Sequence, residues 1–369
     1  MKIDTILKRE GIEIVKALPT LEINQIAKRV SDKLCESFPE HDLNRTDLFI
    51  SISRVKMYTA KMEDQNCKAK YYHKDNSIYF NINFELEKME TDIIHECIHF
   101  VQEKKDTKGN LLRFGLCELP ESKAYGTGLN EAAVQLMASY ANNNNLDNVL
   151  YYSIHVPSIS PTEYTLECNL VNQLAQFTGT YPLYHSAFYS DDLFKKTLIA
   201  KTNEKIYNEI VTGLDTLLEL ENELNYVIDE LRYSNGNENK IRRINKEIEY
   251  GKKLIKEQFF KIQDAIILNA FTNEFNNIKN LADTTAFKMK LYSYKNIIGY
   301  SDDYTFYNDF YCSIMGELEK KIEYIKEYGS IDLLGSLTPG MAIVPKVKKS
   351  VSLFRRILER FGILAKSEE

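Results

Sequence analysis

Two long segments in the second half of the chain constrain its fold most. "IYNEIVTGLDTLLELENELNYVIDELRY" (206–233) places Ile210, Leu214, Leu217, Leu224, Ile228 and Leu231 at spacings built from threes and fours, with Glu221 interrupting the series. "IRRINKEIEYGKKLIKEQFFKIQDAII" (241–267) repeats the pattern through Ile241, Ile244, Ile248, Ile255, Phe259, Ile262 and Ile266. Such spacing puts the apolar side chains on one helix face. With the short polar "SNGNENK" between them, the two segments predict an antiparallel helical hairpin. More helix is expected to residue 328. None of the six histidines lies in this half, so it reads as packing or partner-binding material rather than chemistry.

The first half has mixed periods. Residues 4–38 read as two helices divided at Pro19. "DLFISISRVKMY" alternates Leu48, Ile50 and Ile52 with Ser51 and Ser53 and reads as a strand. "AKYYHKDNSIYFNINFE" reads as a hairpin turning at His73 to Asn76. From Glu85 the spacing becomes helical through Met89, Ile93, Ile94, Cys97, Ile98 and Val101. "DTKGNLLRFGLCELPESKAYGTG" reads as loop, "LNEAAVQLMASYA" as helix, and "SISPTEYTLECNLVNQLAQFTG" as loop followed by helix. The fold class expected is α+β, predominantly helical, with a small mixed sheet leading into the helix that carries "IIHECIHFVQ".

That stretch holds the chemistry. His95 and His99 are four residues apart and share a helix face, so both imidazoles can reach one metal. Glu96 projects beside them, where it can take a proton from water. Two histidines and a glutamate are costly in so apolar a helix unless something pairs with them, and a zinc ion would. Zinc needs a third protein ligand and an open position. Glu118, Glu121 and Glu131 all follow His99. The first two sit in "CELPES", broken by Pro120, whereas Glu131 opens a helix and is better held. One turn on, Gln135 can accept the far N–H of a ligating imidazole. Cys97 points to nearly the opposite face and reads as core.

"HECIH" followed 32 residues after His99 by Glu131 in "GLNEAAVQ" resembles the gluzincin metallopeptidases, thermolysin-like and lethal-factor-like, over about residues 45–145. The resemblance implies Zn2+ held by His95, His99 and Glu131, with Glu96 as general base. "YGTGLNE" is similar to the lethal-factor-like arrangement, which implies Tyr125 as oxyanion donor, with His155 and His185 as alternates. At Gln135 the clan often has a carboxylate. The resemblance also implies an edge strand that pairs with extended peptide, here "NSIYFNINF" or "KAKYY".

These readings predict a metallopeptidase domain over 1–200, a helical region over 201–330, and a linker with a basic amphipathic C-terminal helix over 331–369. "VKKSVSLFRRILERFGILAK" in that tail suits docking on the protein's own body, a protein partner or a peripheral membrane surface. A net charge of -6 gives no footprint for nucleic acid. No signal peptide or run of about 18 apolar residues is visible, and six cysteines without CxxC spacing read as reduced thiols, so a cytoplasmic location is expected. The function expected is zinc-dependent hydrolysis of a peptide or protein substrate. The alternative is a non-catalytic interaction protein built on the helical hairpin, with a structural or decayed zinc site.

Overall fold

A computed structural model describes residues 7, 11–119, 124–232 and 238–329. It is α+β and predominantly helical. The C-terminal linker and basic helix expected over 331–369 lie outside the described residues, as does Glu121. Among the described residues no helix is long and apolar enough to cross a membrane.

Strand β1 (Ile12–Ala17) opens the fold where a helix was expected. Its β-branched Ile12, Ile14 and Val15 suit an extended strand, and antiparallel pairing with β2 (Lys56–Met62) fixes it there. Helix α1 (Thr20–Ser37) follows Pro19, as expected. The strand expected over "DLFISISRVKMY" is instead helix α2 (Arg45–Ser53) running into β2. Asn44 caps α2 by accepting Asp47 N–H at 3.1 Å. The buried pair is Leu48 and Ile52, four apart, while Ile50 faces out. The apparent alternation was therefore a helical spacing with one exposed isoleucine.

The expected hairpin is present as β3 (Ala69–Tyr72) and β4 (Ser77–Asn81), paired antiparallel. Strand β4 also pairs parallel with β2, giving a mixed sheet in the order β1-β2-β4-β3. Thus "KAKYY" forms the edge and "NSIYFNINF" does not. Helix α3 (Glu90–Val101) packs beside β3 and carries the histidines. The segment expected as loop forms a second small sheet from β5 (Glu103–Lys105), β6 (Leu111–Phe114) and β7 (Cys117–Glu118). Strands of two to four residues are too short for a period to show.

Helix α4 (Thr127–Ala141) lies against α3. Strands β8 (Asp147–Tyr151) and β9 (Ile154–Ser158) make a tight hairpin through Tyr152 and Ser153, both left-handed. Helices α5 (Thr165–Thr178), α6 (Thr180–Tyr189) and α7 (Leu193–Lys201) follow. The long pair α8 (Glu204–Arg232) and α9 (Glu238–Asn276) packs as the expected hairpin, and α10 (Leu281–Tyr294) and α11 (Phe306–Tyr328) complete the chain to residue 329. One buried apolar cluster runs from Ile26 and Ile93 through Leu170 and Leu214 to Phe271 and Leu318. The hairpin therefore shares its core with the histidine helix.

Candidate metal centre

The ligand helices are placed by two unlike devices. Helix α3 is buried along Ile93, Ile94, Cys97 and Ile98, which turns His95 and His99 toward α4. Cys97 is core, as expected. Helix α4 is held at its start by the hairpin: Asp215 of α8 accepts Gly126 N–H and Gly128 N–H, each at 2.8 Å. A carboxylate there satisfies the free amides and suits the positive end of the helix. Gly126 needs its left-handed φ of 85°, and a Cβ on Gly128 would fall 2.5 Å from Leu214 O. Glu131 is thereby fixed opposite the histidines.

The three side chains converge. His95 Nε2 and His99 Nε2 are 2.8 Å apart, and Glu131 Oε2 lies 3.3 and 3.2 Å from them. A zinc ion bound at about 2.0–2.1 Å holds tetrahedral ligand atoms about 3.3 Å apart. The observed separations are at or a little under that, so the three atoms fit around one such ion. Burial works against a charged His95 ring, but Glu131 and Glu96 outweigh it and raise its pKa to about 9. Burial likewise works against the Glu131 charge, and the two imidazoles outweigh it, holding the carboxyl below the usual carboxylate range. A bound cation would replace that shared positive charge.

The outer nitrogens are also held. His95 Nδ1–H donates to Gln135 Oε1 at 2.8 Å, as the sequence suggested. Gln135 Nε2 donates in turn to Ser160 Oγ at 2.9 Å. This arrangement leaves the His95 Nε2 lone pair for a metal. Gln102 reaches His99, with its amide nitrogen Nε2 3.1 Å from Nδ1. A glutamine amide fits either way round; with its oxygen toward the ring it accepts Nδ1–H. With the nitrogen toward the ring, as in this structure, Gln102 Oε1 is buried without a partner. Sequence reasoning missed Gln102, although it ends the quoted motif three residues after His99. The rings are clamped by aromatics: Tyr164 lies parallel to His95 at 5.8 Å, and Phe114 to His99 at 5.0 Å.

Glu96 is buried beside this group, and its Oε2 accepts the Tyr71 N–H of edge strand β3 at 2.5 Å. His95, Glu96 and Tyr164 line a cavity of about 460 Å³. Lys68, Glu163, Tyr151 and, from α8, Leu218 and Glu221 complete much of its wall. The helical half, expected to stay clear of the chemistry, thus supplies one side of the cleft.

The tyrosine brought to the ligands is Tyr164 and not Tyr125. Tyr125 bridges to Glu118 through its backbone and donates its hydroxyl to Asn208 Oδ1 of α8 at 3.0 Å. Its position just before the left-handed Gly126 turns it to the hairpin. Tyr164 faces Glu131, whose charge, with burial, pushes its hydroxyl pKa well above the usual value. Glu118 pairs with Lys195 at 2.9 Å instead of joining the ligands. His155 stacks on Tyr300, and His185 pairs with Asp191 at 3.2 Å. Among the described residues, His95, His99 and Glu131 are the group able to hold a metal ion. No protein-family model, curated protein or solved structure matches this chain.

Proposed function

We propose that the chain is a zinc-dependent peptidase of gluzincin type. One observation carries this reading. The described residues supply three ligand atoms next to a cavity, and a carboxylate that ligates nothing lines that cavity beside them. Structural zinc sites close with four protein ligands, whereas catalytic ones keep a position open.

A zinc ion held by His95, His99 and Glu131 would supply a water of pKa about 7 and polarise a substrate carbonyl. Glu96 takes the proton from the attacking water at Oε1, while Tyr71 N–H holds Oε2 in place. It then gives that proton to the leaving amide nitrogen. Tyr164 keeps its proton, because Glu131 and burial disfavour its ionised form, so its hydroxyl is a donor for the developing oxyanion. Gln135 and Gln102 keep the imidazoles oriented. Edge strand β3 borders the cleft at Ala69, where an extended peptide would add to the sheet.

The test is hydrolysis of a mixed peptide library by purified, zinc-loaded protein. Glu96→Gln is expected to keep zinc and lose roughly 10²–10⁴-fold in rate. Tyr164→Phe is expected to lose about 10²–10³-fold, and Tyr125→Phe little. Equal hydrolysis by wild type and Glu96→Gln contradicts the role of Glu96, and none by wild type contradicts the reading and leaves a non-catalytic zinc site on an interaction protein.

A further inference from the structure

The buried stripe of α8 has one charged member, and it reaches the cleft. Glu221 stands between Leu217 and Leu224, is 7% exposed and lines the cavity that holds His95 and Glu96. Beside it Glu167 of α5 is fully buried at 0% exposure. The two carboxyls face each other, and among the described residues no cation offsets either. Both oxygens of Glu167 and Oε1 of Glu221 are buried without a hydrogen-bond partner among the described residues. Burial raises Glu167 to about 7, and burial together with Glu167 pushes Glu221 well above the carboxylate range.

Such a pair is expensive. A buried carboxyl without partners is destabilising where a packed leucine would stabilise, and leucines fill the neighbouring positions of the stripe. The rest of the cleft has the same sign. Asp64, Asp92, Glu96 and Glu163 line it against Lys68, which Asp92 and Glu163 already hold at 3.2 and 2.5 Å. Leu218, Phe84 and Tyr151 add apolar wall that suits an aliphatic stem.

We propose that Glu221, backed by Glu167, forms the floor of a specificity pocket for a lysine or arginine side chain of the substrate peptide. The proposal rests on the peptidase reading and names the substrate class of the same cleft. The cation displaces a proton from the raised pair, and that proton passes to solvent. The unpartnered oxygens then accept from the ammonium or guanidinium.

The test separates the pocket from the chemistry. Zinc-loaded Glu96→Gln protein is titrated calorimetrically with capped alanine pentapeptides carrying one lysine, arginine or norleucine at each position in turn. At one position lysine or arginine is expected to bind at least about tenfold tighter than norleucine. Adding Glu221→Gln should bring the two within about twofold, and Glu167→Gln should act alike, which covers the failure of one variant to fold. Norleucine binding equal to lysine and arginine at every position, no binding of any peptide, or a basic preference surviving both substitutions overturns the pocket. Selective binding without hydrolysis by the wild type counts against the peptidase reading alone.

Discussion

Glu131 and Glu221 are carboxyls of neighbouring helices at one cleft, and their protons are held in opposite ways. Two imidazoles face Glu131 and keep it ionised below the ordinary range. Among the described residues Glu221 faces the Glu167 carboxyl and no cation, and it is pushed well above that range. Burial acts against the charge at both places, so the difference lies in the partner. A buried carboxyl with cationic partners is a ligand in waiting for a metal. A buried carboxyl with none is a place that a cation from outside would improve.

The carboxyl pair gives the larger effect to look for. The unfolded chain ionises its glutamates near pH 4.5, while the native pair keeps protons to about pH 7 and above. Over that window the unfolded state binds fewer protons, so stability falls as pH rises. Glu221→Gln should therefore melt higher than wild type at pH 8, with the gap closing by pH 4. A gap independent of pH would mean that the pair is not held as described. At the triad the comparison sharpens through the outer amides. Gln135→Ala frees the His95 Nδ1–H and should weaken zinc binding by about 10–100-fold. A competition titration with a zinc chelator reads the loss; unchanged affinity would mean that Gln135 does not orient the ring.

Legibility in the sequence followed the length scale of the signal. The four-residue spacing of His95 and His99, the Glu131 helix and Gln135 are local patterns on long helices, and the structure brings all four together. The hairpin was readable because its period persists over many turns. What was not readable depended on chain returning from a distance. Tyr164 lies 29 residues past Gln135 at the start of another helix, with no local mark to choose it over 23 other tyrosines. Tyr125 was the nearer in sequence and faces Asn208. β1 was read as helix because its strand character comes from pairing with Lys56–Met62, not from its six residues alone. Glu221 showed itself as a break in an apolar series, but the meaning of the break needed Glu167 and the cleft beside it.

Metal content tests the central claim most directly. Wild-type protein purified without added metal, and His95→Ala purified alongside it, are analysed by elemental mass spectrometry. The account predicts about one zinc per wild-type chain and less than about a tenth of that in His95→Ala. Equal zinc in the two proteins, or none in the wild type after incubation with zinc and desalting, would contradict it.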